Sequence, residues 1–243
     1  MKNERRLQVH ISSSGYCSRR RAMRFIFDGQ VTVNGQVVRE PSYKIDAARD
    51  DVRVADRRIG HALRHYIILN KPCGFVSTRS DPFAAKTIYS LLPEELRILH
   101  PVGRLDKNTA GLLLLTNDGE LTYHLTHPRF HIDKTYAVTV HGLLGAEDRR
   151  RLERGVMLDG RRTAAAKIGR LTQHKQQTAF HLTIHEGRKR QIRRMLAVLK
   201  HPVITLKRLS LGPVSLGAMK SGSYRPMSKQ EVERLKSACG LNA

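Results

Sequence analysis

Residues 111–117 read GLLLLTN, four leucines in a row between a glycine and a polar pair. Alternation would mark a strand with one wet face; an unbroken aliphatic run this short marks a strand buried on both. The residues before it, RLDKNT (104–109), have the composition of a polar turn, so Asp106 is expected where a loop enters the core. Taken alone, that acid fits an Asx-turn or an ion pair with Arg104 as well as it fits chemistry.

The rest of the chain surrounds this strand with others. HYIILNKP (65–72), KTYAVTVHG (134–142), TAFHLTIHE (178–186) and HPVITLKRLSLGPVSL (201–216) are rich in β-branched or aliphatic residues, and helices are predicted over GELTYHLTH, EDRRRLERG and RKRQIRRMLAVLK. This order is neither strict βαβ nor a pure meander. It predicts an α+β fold on a mixed, mostly antiparallel sheet with flanking helices. Upstream, LQVHISSSG (7–15) has helical spacing, and Ser18 is a fitting N-cap for SRRRAMRFIFDG, which ends at Gly29. QVTVNGQVVRE follows as a hairpin, because Asn34-Gly35 tolerates the positive φ of a type I′ turn. Apolar patterning weakens over 56–64, which places a linker there between a domain of residues 1–59 and one of residues 65–243.

Charge narrows the partner. Against 21 Asp and Glu stand 44 Lys and Arg, a net +23, which favours a polyanion, with nucleic acid first. Residues 1–64 hold 14 basic and 7 acidic side chains (+7) and residues 65–243 hold 30 and 14 (+16), so neither part is a mere charged tail. No apolar run approaches the ~20 residues of a spanning helix, and MKNERRLQVH lacks a leader's apolar core, so a cytoplasmic protein is expected. Three distant cysteines argue for reduced thiols. His100, His124, His127 and His131 have no metal-ligand spacing, and surface or RNA contact suits them better; no metal is expected. Neither G-x-G-x-x-G nor G-x-x-x-x-G-K-[ST] occurs, which leaves a nucleotide cofactor unsupported.

Two clusters concentrate the cations. Arg19, Arg20, Arg21 and Arg24 crowd the second helix, either as a solvated face or as phosphate ligands, the latter favoured by the whole-chain charge. EGRKRQIRRML (186–196) packs Arg188, Lys189, Arg190, Arg193 and Arg194 into seven positions. A 3.6-residue period turns Ile192, Met195, Leu196 and Leu199 inward, with Arg188 and Arg193 flanking that stripe toward a site.

Residues 5–52, with S-R-R at a helix start and V-x-V-N-G at a hairpin, resemble the αL RNA-binding motif. VGRLDKNTAGLLLLTNDGE resembles the G-R-L-D-x-x-T-x-G-L signature of pseudouridine synthases. The order NKPCG (70–74), GRLD (103–106), KTY (134–136), EGRKRQIRRML is similar to the RsuA/RluB type that acts on ribosomal RNA. The likeness covers residues 5–235. It implies Asp106 as the catalytic aspartate, Tyr136 as the ring packed on the target base, Arg193 as the cation paired with Asp106, Ile192 as an apolar wall and Arg104 as a holder of the flipped nucleotide. It departs from the family pattern at Lys189 and Arg190, where many relatives carry a small, polar or His residue.

That chemistry needs one acid. Converting uridine to pseudouridine breaks the bond from N1 to the ribose, turns the uracil and joins C5 to the same carbon, with no atom gained or lost. No redox or group-carrying cofactor is required, and a glycoside hydrolase would place two carboxylates around the bond. The aspartate would attack the sugar, attack the ring or take a sugar proton. The uridine must leave its stack to be reached. Lys71 and Gly74 of NKPCG are expected to shape the adjoining turn, and Lys134 to be a solvated partner or a phosphate ligand. The stretch LLLLTNDGE with THPRFHIDKTY is closer to the large-subunit branch, so 23S rRNA, free or in an assembly intermediate, is the expected substrate, 16S rRNA the alternative, and a noncatalytic rRNA-binding assembly protein the rival from another class. Lack of a coiled-coil heptad makes a monomer the default.

Overall fold

The structure, a computed structural model, describes residues 4–60, 63–79 and 86–241; residues 61 and 62 of the expected linker, and the outermost residues of both expected domains, lie outside the described residues. The chain divides into two compact units, Met1–His65 with Asn117–Gly119, and Tyr66–Thr116 with Glu120–Ala243.

The smaller unit runs β1 (Glu4–Arg6), α1 (Leu7–Ser13), α2 (Arg19–Phe27), β2 (Val31–Val33), β3 (Gln36–Val37), β4 (Lys44–Asp46), β5 (Val52–Val54) and β6 (Arg57–Arg58). The Ser18 side chain accepts the N–H of Arg21 and so caps α2 as its sequence suggests. Asn34 and Gly35 adopt φ of 52° and 82°, the left-handed pair that turns β2 into β3. Leu7, Ile11, Ala22, Ile26, Val31, Val52 and Val54 meet in one core. Because Ala22 and Ile26 lie four apart on the buried face of α2, Arg19, Arg20, Arg21 and Arg24 are all left exposed.

The larger unit contains β7 (Tyr66–Lys71), β8 (His100–Pro101), β9 (Ala110–Thr116), α3 (Gly119–Thr126), β10 (Lys134–His141), α4 (Ala146–Arg154), β11 (Met157–Leu158), β12 (Arg161–Arg162), β13 (Lys167–His174), β14 (Gln177–Ile184), α5 (Gln191–Val198), β15 (Val203–Leu211), β16 (Val214–Ser215), β17 (Tyr224–Pro226) and α6 (Lys229–Ala238). Among the described residues nine strands form one sheet, in the order β13-β14-β10-β15-β9-β7-β17, with β16 beside β15 and β8 beside β9. Every pairing is antiparallel except β15 with β9. The four leucines divide as a doubly buried strand requires. Leu112 and Leu114 join Leu121, Leu125 and Leu235 beneath α3 and α6, while Leu113 and Leu115 join Leu152, Ile192, Met195 and Leu196 beneath α4 and α5. Each buried leucine contributes about 1.5–3 kcal/mol, so this one strand helps hold both layers.

At the parallel junction the backbones nearly touch. Gly111 pairs with Arg208 at φ 106°, and a Cβ there would sit 2.2 Å from the Arg208 carbonyl oxygen. Only glycine tolerates both.

Some elements escape the sequence pattern. β13 is an edge strand with little burial and no alternation, and α5 begins at Gln191 instead of Arg188, because Arg190 takes the left-handed conformation at φ 51°. α6 was not anticipated either, although Ser228 and Glu231 form a full capping box at its start. Among the described residues no helix is long and apolar enough to cross a membrane.

Candidate active site

The turn that carries Asp106 spans Val102 to Thr109, between β8 and β9, and it is held from below by the NKPCG segment. Lys71, at the end of β7, has no exposed surface. Its Nζ donates to the carbonyls of Thr109 (2.7 Å), Pro72 (3.0 Å) and Asp106 (3.1 Å), with that of Lys107 at 3.4 Å. Burial pushes this ammonium down to about 8, while Cys73 and the Asp106 charge act the other way. Gly74, at φ 89°, donates its N–H to the Lys107 carbonyl at 2.8 Å. The expected turn-shaping role of both residues is what the structure shows. Ser77 adds a second clamp that sequence reasoning missed: its hydroxyl donates to the Leu105 carbonyl and accepts the Leu105 N–H, at 3.0 and 3.3 Å.

Above this turn opens a cleft of about 730 Å³. Among the described residues Asp106, half-buried, is the one acidic side chain in its lining, and its carboxylate has no hydrogen-bond partner among them. Tyr136, Ile184, Ile192 and Leu206 supply buried apolar surface. Tyr136 stands beside a bulge where β10 slips register against β15, an irregularity that re-aims a side chain. Arg104, Lys107, Lys189 and Arg190 are exposed at the rim. The structure therefore gathers Arg104, Asp106, Tyr136, Ile192 and Arg193 into one cleft. Arg19, Arg20, Arg21 and Arg24 belong to the smaller unit.

Two arginines behave differently from expectation. Among the described residues Arg193 makes no ion pair with Asp106; its guanidinium donates to the carbonyls of Asn108 (2.6 Å) and Val203 (3.3 Å), and Nε is buried without a partner. Burial and the Arg190 charge hold its pKa below the usual arginine value, and the Asp106 charge opposes them. Arg188 lines the cleft, but its guanidinium donates to the carbonyls of Arg161 (3.2 Å) and Arg162 (2.8 Å) and pairs with Glu186 (3.4 Å). It braces the β11–β12 hairpin instead of standing free for phosphate. Lys134 is likewise not a solvated partner: half-buried, it donates to the carbonyls of Ile132 and His185, and burial pushes it down to about 8, with Arg208 adding to the shift.

A carboxylate in one cleft with an aromatic wall, ringed by cations, suits rearrangement of a base on a polyanion. Residues 65–198 match the family described as RNA pseudouridylate synthase, and residues 5–52 match the S4 domain. The chain belongs to the RNA pseudouridylate synthase family. It is 40% identical over 242 residues to the ribosomal large subunit pseudouridine synthase B of Bacillus subtilis (strain 168), across 98% of this chain and 99% of that one. Its identity to the ribosomal small subunit pseudouridine synthase A of Escherichia coli (strain K12) is 35%, covering 93% and 98%. A solved pseudouridylate synthase superposes with a TM-score of 0.68 at 33% identity, over 95% of this chain and 99% of that chain. This RNA pseudouridine synthase, an isomerase, thus has a small S4 domain ahead of a larger α+β synthase domain. Within it, the buried lysine of NKPCG could have been singled out from sequence as a cation directly after an apolar strand with no acid beside it.

Proposed function

We propose that the chain isomerises a uridine of ribosomal RNA to pseudouridine with Asp106 as the catalytic residue, large-subunit rRNA being favoured. The observation that carries the reading is that Asp106 is, among the described residues, the one acid in a cleft whose walls include Tyr136, Ile184, Ile192 and Leu206. A flipped uracil rests against Tyr136, Ile192 closes the apolar side, and Arg104 and Arg193 lie where the phosphates and ribose enter. The C1′–N1 bond breaks, the uracil turns, C1′–C5 forms, and the proton lost from C5 is balanced by one gained at N1. Asp106 supplies one oxygen for attack on the sugar or the ring, or for proton removal. Apolar walls keep water from capturing the opened sugar.

The large-subunit choice is supported by the sequence run from Leu112 through Tyr136 and by the name of the Bacillus subtilis relative; the name of the Escherichia coli relative supports small-subunit rRNA as the second reading. Asp106→Asn should abolish pseudouridine formation while leaving RNA affinity within a few fold, since affinity comes from many phosphate contacts. Turnover above ~1% of wild type would refute the role of Asp106, because loss of an essential group costs far more than 10²-fold. Mapping pseudouridines in rRNA from a strain lacking the gene would identify the subunit.

A further inference from the structure

The last turn of α3 and the residues after it carry a group of rings and cations that the Asp106 cleft does not use. The Tyr123 ring stands edge-on to Phe130 with centroids 5.7 Å apart, His127 lies 5.1 Å from Tyr123, and His124 stacks on Phe130 at 4.0 Å. The Arg129 guanidinium sits 5.0 Å from the Tyr123 centroid and 4.5 Å from that of Phe130, and it has no acidic partner among the described residues. Phe130 packs on the core beneath α3 and roots the group. Tyr123 is 43% exposed, and His127 and Arg129 are exposed too, so the outer members are not serving that core. Surface rings held in place with an unpaired arginine are the equipment of a base-stacking site.

The group also stands beside the cleft. The Thr126 methyl lies 3.6 Å from where a Cβ on Gly103 would be, and Gly103 lines the cleft with Arg104 and Asp106. Tyr123, Thr126 and His127 share one face of the helix at i, i+3 and i+4. One helical turn is ~5.4 Å and a stacked strand rises ~3.4 Å per nucleotide, so the platform is a few nucleotides from the cleft rim.

We propose that Tyr123, His127 and Arg129 form a stacking platform for an unpaired base of the RNA strand flanking the flipped uridine; this rests on the RNA-isomerising reading above. An unpaired base offers its face to Tyr123, and its phosphate meets Arg129. Inside a duplex every base is covered on both faces by its neighbours, so the platform favours single-stranded or looped RNA.

The test uses the full chain with two probes, a fluorescein-labelled single-stranded oligouridylate of about 12 nucleotides and a blunt RNA duplex of the same length, read by anisotropy. Tyr123→Leu should weaken single-strand binding roughly 5- to 100-fold with duplex binding unchanged, and Tyr123→Phe should retain it. Arg129→Gln should weaken the single strand more than the duplex. Thermal unfolding of each variant checks that the fold is kept. Equal losses on both probes, or no loss on the single strand from Tyr123→Leu or Arg129→Gln, would overturn the platform. A wild-type protein that isomerises no rRNA yet shows the single-strand difference would refute the function proposed above and leave the platform standing.

Discussion

Lys71 Nζ lies 3.1 Å from the main-chain carbonyl oxygen of Asp106, so the ammonium grips the backbone of the acid and not its carboxylate. The turn's carbonyls point inward onto a cation with no access to water. Lys71→Met keeps the stem and deletes the donors, leaving buried acceptors unpaired. A loss of about 2–4 kcal/mol in urea unfolding is expected. Single-turnover isomerisation should fall ~10²-fold, because a small displacement of a catalytic group costs that much. Full activity with unaltered stability would show that Gly74, Ser77 and Arg193 hold the turn without Lys71.

The pH dependence of stability and of activity should run in opposite directions. Lys71 and Lys134 are each held down to about 8 by burial, against 10.5 for an ordinary lysine. Between those values the unfolded chain binds protons that the folded chain has released, so these two groups make stability rise with pH from about 8 to 10.5. Activity should decline across the start of that window, as Lys71 loses a donor and the positive charge beneath Asp106. Single-turnover rates against pH should show this alkaline limb in wild type and in Lys134→Met but not in Lys71→Met. A limb that disappears in Lys134→Met instead would assign it to the wrong lysine.

Arg193 is tied to Asn108 and Val203 by carbonyl contacts yet feels the Asp106 charge. Arg193→Met should lower the single-turnover rate and the urea midpoint, since it deletes the donors to the Asn108 and Val203 carbonyls and so loosens the turn that carries Asp106. An unchanged rate with an unchanged midpoint would show that Lys71 and Ser77 hold the turn without Arg193.

The exposed arginines of α2 should report as salt dependence. Replacing Arg19, Arg20, Arg21 and Arg24 together with glutamine removes up to four phosphate contacts and should flatten the slope of log affinity against log salt by about 3 units. Rates at saturating RNA should be untouched. An unchanged slope would return these side chains to an ordinary solvated face.

Sequence reading went furthest where one residue type has one physical use. The four leucines from Leu112 to Leu115 announced a strand buried on both faces, Asn34-Gly35 announced its turn, and Ser18 its cap. It stopped where a side chain's partner is set by distant backbone. Periodicity put Arg188 and Arg193 at the cleft, but the carbonyls of Arg161, Arg162, Asn108 and Val203 that occupy them are brought there by the sheet. β13 is illegible because an exposed edge strand needs no alternation, whereas Ser228 and Glu231 carry the signature of α6 in the sequence itself.

The parallel junction at Gly111 also sets a timetable. The smaller unit's core closes with Ile59, whereas the cleft waits for Leu206, and the strand leaving its turn, already paired with β7, gains its second neighbour only when Arg208 arrives. At ~5–20 residues per second of synthesis, the intervening stretch takes roughly 7–30 s. For that interval a growing chain holds a finished basic unit and an acid on a turn that Lys71 and Ser77 grip but no cleft yet encloses. A message cut short ahead of β15 would yield protein arrested in that state, with Asp106 present and the enzyme not yet made.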